Sequence, residues 1–317
     1  MTLGSAIATR TRIPMLFLST FECPSDNKQA QFYARKLSSD IGRWSSALSY
    51  QTSQSALPAN TLRDPEIGAQ FHPDYILTGD LQFLDEGIRA SVVMSEAREG
   101  LHMWAQTYQL DGDETSILID KLAGNIAAAI AFSFAKIERE RLKDVPEDQL
   151  DAWGLVGRSM GLSMRTNQEA REWLRIGRLA VQRDENFAEA HANLADGIRA
   201  ILLASFDCDI SVEDLKREAL HHCDCALTLD EDKIFNLNRG SRVHLVLGNR
   251  ILALQLAKRV NELTQGRSVA ALYQALIANG KSKQVIDHAR DHIENIANLT
   301  KDALIFTKGT SNLATAQ

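Results

Sequence analysis

Two groups of residues in this 317-residue chain have types and spacings that could do chemistry. The first is His221-His222-Cys223-Asp224-Cys225, with Asp207-Cys208-Asp209 upstream. Zinc takes four nitrogen or sulfur ligands in a tetrahedron, commonly with about two to four residues between paired cysteines. Cys223 and Cys225 are two apart, about 200° around a helix axis, so both cannot face one ion. His221 and Cys225, four apart, share a face and could hold one together. The bland alternative for Cys223 is a thiol packed as a small hydrophobe between helices, and that reading is preferred here. No metal, cofactor or catalytic residue is therefore assigned. The second group is cationic: Arg158, Arg165, Arg199 and Arg242, with Asn238 nearby, in a chain of net charge −6. A guanidinium fork engages a carboxylate through two parallel bonds. If these arginines line one surface they can receive an acidic segment; if not, they solvate helix faces.

Other chemistries find little support. There is no P-loop and no G-x-G-x-x-G after a strand. Asp40 and Asp80 fall on separate elements, and Glu138-Arg139-Glu140-Arg141 reads as a solvated helix end. His191 and His244 fall in helix seams and read as packing residues. Tyr75, Phe83, Trp104 and Tyr108 alternate along strands. A stacking surface for single-stranded nucleic acid would interleave them with Lys or Arg. Only Arg89 and Arg98 are near, so these aromatics read as one face of a sheet packed on helices. A pI of about 5.8 also opposes polyanion binding by the chain itself.

Composition frames these sites. At 44% hydrophobic and 24% charged the chain is a globular type, and its length suggests about two domains. Four cysteines make no disulfide scaffold. No run reaches the ~18–20 apolar residues of a membrane span; IAAAIAFSFA (126–135) is followed at once by KIERERLK. The N-terminal apolar run is interrupted by Pro14 and too short for a signal peptide, so a cytoplasmic setting is the expectation.

Proline divides the chain. All six prolines fall at or before Pro146, although about 5% usage would put several after it. Proline lacks an N–H and clashes with the preceding helical turn, so the second half should be nearly all helix. The first half is mixed. Strand-like segments at 12–22 and 48–55 flank a helix at 26–47, with Asp26 as its N-cap. A helical turn follows near 66–71. Three strands at 75–84, 88–96 and 101–110 are separated by Asp-Glu-Gly and Arg-Glu-Gly turns. A long helix spans 115–142. The expected class is α+β: a mixed-sheet domain of order β-α-β-(α)-β-β-β-α over 1–145, then helical repeats over 146–317 with a fraying tail at 307–317.

The repeats are legible in three alike segments, 180–190, 226–236 and 259–270. Glu185, Glu231 and Gln265 mark a common register. Their spacings are 46 and 34 residues; 34 is the tetratricopeptide period, and the longer one contains a 12-residue insertion around 203–213. Small residues suit close helix crossings: Gly161, Gly177 and Ala180; Leu194-Ala195, Ala219, Cys223 and Ala226; Gly240-Ser241, Ala253, Ala257 and Val260. A weaker fourth unit has Ala271, Ala275 and Ala278. The first helix of each unit lines the inner surface of such a stack. The register puts Arg158, Leu162 and Arg165 there, then Ala192, Asp196 and Arg199, then Asn238, Arg242 and Leu245.

The chain resembles the TolB amino-terminal-like α/β domain followed by tetratricopeptide repeats. FLSTFE (17–22) is similar to that family's opening strand, and YARKLSSDIGRWSSA (33–47) to its first helix. DYILTG (74–79), GLHMWAQTY (100–108), LIDKLAGNIAAAI (118–130) and LDAW (150–153) match further elements in order. The pair occurs at the C-terminal end of HilA/CadC-type transcriptional activators and of some class III adenylate cyclases. The resemblance implies a non-enzymatic regulatory or protein-interaction module of a bacterial signalling or transcriptional regulator, and the arginines of the register make an acidic protein segment the expected occupant of the repeat groove. The net charge and the lack of a visible helix-turn-helix oppose direct nucleic-acid contact, no membrane contact is expected, and a homo-oligomer is compatible with the sequence. The short stretch before residue 12 leaves no room for a winged helix or a cyclase domain. A fragment, a cyclase-derived remnant or a free-standing module are the expectations. An enzyme or metal-binding protein of another kind is the alternative. The helix-end proline of the repeats is missing from every unit.

Overall fold

The structure is a computed structural model that describes residues 11–24, 27–45, 51–54, 73–162, 164–264, 266 and 270–286. The chain parts into two compact units, 1–240 and 241–317. In the first, strand β1 (Met15–Leu18) leads to helix α1 (Lys28–Ser45) and strand β2 (Gln51–Gln54). Strands β3 (Tyr75–Leu84), β4 (Gly87–Glu96) and β5 (His102–Asp111) precede helix α2 (Thr115–Leu142). The sheet order is β2-β1-β3-β4-β5; β1 runs parallel to both β2 and β3, and the other pairs are antiparallel. A mixed sheet followed by many helices is the α+β class expected. The strand at 12–22 is shorter than expected, and the expected Asp26 cap, the turn at 66–71 and the tail lie outside the described residues.

Period-two alternation builds the sheet's inner face. Leu16, Leu18, Leu77, Leu81, Ile88, Ala90, Val92 and Met94 are buried beneath Ala34, Leu37 and Ile41 of α1 and Ile119, Leu122, Ile126 and Ile130 of α2. Asp74 fixes the start of the sheet: its carboxylate accepts from the Met15 N–H at 2.9 Å and from Arg12. Gly87 opens β4 at φ +149°, where a Cβ would lie 2.1 Å from the Leu110 carbonyl oxygen, so the hairpin requires glycine there.

The same apolar core continues through Leu142, Leu150, Trp153, Leu155 and Val156 to Ile176, Ala180, Phe187 and Ala190. These belong to helix α3 (Ala152–Gly161), helix α4 (Asn167–Arg183) and helix α5 (Ala188–Ala204) with their approaches. Asp151 caps α3 by accepting from the Gly154 N–H, and Thr166 with Glu169 forms a capping box on α4. Helix α6 (Val212–Leu229) pairs with α5, and helix α7 (Ile234–Val246) follows. The insertion is a loop between Ala204 and Val212, turned by Ser205 and Asp209 at positive φ. Gly177 and Gly197 sit in the close crossing of α4 and α5. A Cβ on Gly197 would meet the Trp173 ring at 1.8 Å. Gly161, expected in a seam, is instead exposed at the end of α3, because the helix stops there at Leu162.

In the second unit, helix α8 (Arg250–Leu263) packs on helix α9 (Ala270–Ala278) through Leu254, Ala257, Leu272, Ala275 and Leu276. Ser241, beyond the division within α7, donates to the Ala253 carbonyl at 2.8 Å. Among the described residues no helix is long and apolar enough to cross a membrane.

Candidate functional site

The arginines expected in one groove have several different fates. Arg158 turns away: its guanidinium donates to the carbonyl oxygens of Leu142 (3.1 Å) and Val145 (2.6 Å), closing the end of α2. The Leu142 carbonyl, at the helix end, also takes a 3.3 Å bond from the Val145 N–H, and carbonyls at a helix C-terminus have room for such a guanidinium donor. Arg165 is exposed, and Leu162 packs against the core. Ala192 lies in a seam with Ala226 and Phe235. Arg242 and Leu245 belong to the second unit.

A smaller constellation forms in the first unit. Asp196 and Arg199, one helical turn apart on α5, make an ion pair at 2.5 Å with side chains only 15% and 12% exposed. Arg239 of α7 places its Nε 4.0 Å from Asp196 and its guanidinium carbon 3.5 Å above the Phe235 ring. Its terminal nitrogen is 3.9 Å from the Met160 sulfur, at the end of α3. Asn238 is half-buried beside it in sequence. Three helices, α3, α5 and α7, therefore contribute to one spot. Two guanidiniums approach one carboxylate there. The sequence register puts Asn238 and Arg242 at the inward positions and passes over Arg239 between them. The signal available was Phe235-x-x-x-Arg239, a pair one turn apart that can stack.

The other cationic side chains of α4 are spent on partners. Arg175 bonds Glu147 and Glu172, and Arg178 bonds Glu218 through two parallel contacts of 2.7 Å. These tie helix to helix.

The His/Cys group divides in two. Cys223 is buried in the α6 seam, and burial pushes its thiol up to about 12. Cys225 approaches His221 at 3.8 Å. Among the described residues no three metal-ligating side chains come together. His222 instead meets His191 of α5, Nδ1 to Nδ1, at 2.9 Å. The Glu185 carbonyl lies 3.0 Å from His191 Nε2, so that nitrogen carries the hydrogen. His191 Nδ1 is then the acceptor and His222 Nδ1 the donor, with both rings neutral.

Tyr75, Phe83, Trp104 and Tyr108 all fall on the helix side of the sheet by register. Tyr75 donates to the buried Glu138 at 2.5 Å, and Arg141 clamps the same carboxylate. This contradicts Glu138 as part of a solvated run: the α2 face that meets Tyr75 buries it. A cleft of about 670 Å³ opens beside these residues, between Leu101, Met103 and Trp104 and the α2 side chains Lys136 and Ile137.

No family model and no curated protein matches this chain. Among solved structures it is similar to the PelC dodecamer from Paraburkholderia phytofirmans, at 12% identity and a TM-score of 0.31 over 38% of this chain and 87% of that one. It is also similar to lipoprotein GNA1162 from Neisseria meningitidis, at 16% identity and a TM-score of 0.25 over 38% of this chain and 97% of that one.

Proposed function

We propose that this chain is a non-enzymatic protein-interaction module, a TolB-N-like sheet domain joined to tetratricopeptide-like helix pairs. Its role is regulatory, in a bacterial cytoplasmic signalling or transcriptional system. The inner helices receive an acidic segment, or a C-terminal carboxylate, of a protein partner. The observation that carries this reading is the Asp196–Arg199–Arg239 group, fed by α3, α5 and α7. Antiparallel pairs with small residues in their crossings, as at Gly177 and Gly197, support the repeat reading. Arg239, with its guanidinium carbon 3.5 Å from the Phe235 ring centroid, is already held in place, so little side-chain entropy is lost when it takes a carboxylate.

The test is a titration of the full chain with a fluorescent Asp/Glu-rich peptide bearing a free C-terminus. Saturable binding that weakens steeply with salt is expected. Charge-assisted bonds of about 1.5–3 kcal/mol each imply that Arg199→Ala with Arg239→Ala weakens binding roughly tenfold or more. Equal affinity in the double variant would remove the site.

A further inference from the structure

Strand β5 ends the sheet, with β4 on one side and no described strand on the other. An edge strand presents a row of N–H and C=O groups that can pair with another chain. Proteins blunt such edges with lysine, proline, inward charges or short strands. β5 uses none of these devices. It is ten residues long, reads HMWAQTYQLD, and carries its one acid, Asp111, at the very end. Its bulge lies at the far end, opposite Met94 and Ser95.

The hydrogen-bond phase of the edge follows from the β4 side. The Gly112 N–H donates to the Glu86 carbonyl, and Gly87 stands opposite Asp111. In an antiparallel ladder bonded and non-bonded pairs alternate, so Trp104, Gln106, Tyr108 and Leu110 point their backbone groups at β4. Ala105, Thr107 and Gln109 present theirs to the open edge. The side chains of these three are exposed, and Leu101 and Met103 are 57% and 41% exposed.

We infer that β5 is a self-association strand, pairing antiparallel with β5 of a second copy of this chain about a two-fold axis at Gln106. The occupant is specified by the strand's own symmetry. About Gln106 the sequence reads aromatic, small, Gln, small, aromatic: Trp104, Ala105, Gln106, Thr107, Tyr108. A two-fold contact is self-complementary, each residue i meeting j and each j meeting i. With the axis at Gln106, Ala105 and Thr107 form the hydrogen-bonded pairs, which is the phase the open edge presents. Trp104 and Tyr108 then face each other in non-bonded pairs, where side chains approach most closely, at a Cα separation of about 4.5 Å. Like charges do not meet anywhere along the strand pair. The pairing also sets the second copy's Tyr108 beside Trp104, where the apolar cleft opens. Tyr108 has a buried hydroxyl with no hydrogen-bond partner among the described residues. The second copy's Gln106, diagonal to it, brings an amide to that side.

Sedimentation velocity of the full chain over a hundredfold concentration range tests this. A dimer that dissociates on dilution is expected. Thr107→Pro removes one N–H from the open edge only, a position where an edge strand tolerates proline. It should yield a monomer whose thermal midpoint matches that of the wild type diluted until it too is monomeric, and Ala105→Lys should do the same. Gln106→Cys should give a disulfide-linked dimer under oxidised glutathione, whereas Gln109→Cys, far from its own counterpart across the axis, should stay at the background of the wild-type cysteines. A chain that is monomeric throughout overturns the inference, as does pairing only with a strand of another protein. A dimer that survives both Thr107→Pro and Ala105→Lys, or that fails to cross-link through Gln106→Cys, overturns it equally.

Discussion

The sheet and the helix pairs of the first unit handle their polar groups in opposite ways. A helix satisfies its backbone within itself, so α3 to α6 meet neighbours through side chains alone: Trp173 against Gly197, Asn193 to Ser159, Arg178 to Glu218. A sheet satisfies each strand through the next, so its last strand leaves backbone groups outward. The recognition proposed for the helical region would therefore rest on side-chain charge and shape. Recognition at β5 is written in the main chain and in a symmetrical sequence. Side-chain truncation should disable the first and proline the second.

The largest effect should come from breaking the side-chain interlock itself. Trp173 is buried between α4 and α5, with Gly197 against its ring. Trp173→Ala should lower stability by about 3–5 kcal/mol, read from urea unfolding. Thr107→Pro should leave the same curve nearly in place. A mild Trp173→Ala would mean that the helix pairs are not held by this crossing.

A smaller effect should appear with pH. Burial and the nearby His221 hold His191 and His222 below their ordinary value, and His191 adds to the depression of His222, down to about 4. Asp184, Glu185 and Glu218 pull the other way, and Arg178 adds to the depression of His222. As pH falls below about 6.5 the unfolded chain takes up these protons before the folded one. The contribution is thus complete above that value and is lost progressively down to about pH 4. His222→Gln should flatten the stability profile in that window, and a profile unchanged by it would show that the pair does not titrate with folding. The smallest effect belongs to Arg98→Ala, on the exposed turn between β4 and β5, which should alter neither peptide binding nor self-association.

Much of the fold was legible because the signals were local. Proline placement, the glycine turns and the helical period from Thr115 place β3, β4, β5 and α2 nearly to the residue, whereas β1 is shorter than its apolar run suggests. The groove was less legible. A register tells which residues share a helix face, but not whether a carbonyl lies closer than the groove, and Arg158 went to Leu142 and Val145. Arg239 escaped notice for the same reason: its position depends on stacking over Phe235, a contact that the 34-residue period does not encode. Glu138 looked solvated within a charge run, and only the packing of α2 on Tyr75 buries it. The palindromic character of β5 lay in the sequence, but it acquires meaning only once β5 is known to be the last strand.

The most direct measurement sets the two surfaces against each other in one titration. Acidic-peptide affinity is measured by fluorescence anisotropy for the full chain, for Arg199→Ala with Arg239→Ala, and for Thr107→Pro. The expected result is a loss of roughly tenfold or more in the arginine variant and full affinity in the proline variant. Undiminished binding in the arginine variant, or binding lost with Thr107→Pro, would contradict the assignment of partner recognition to the inner helices.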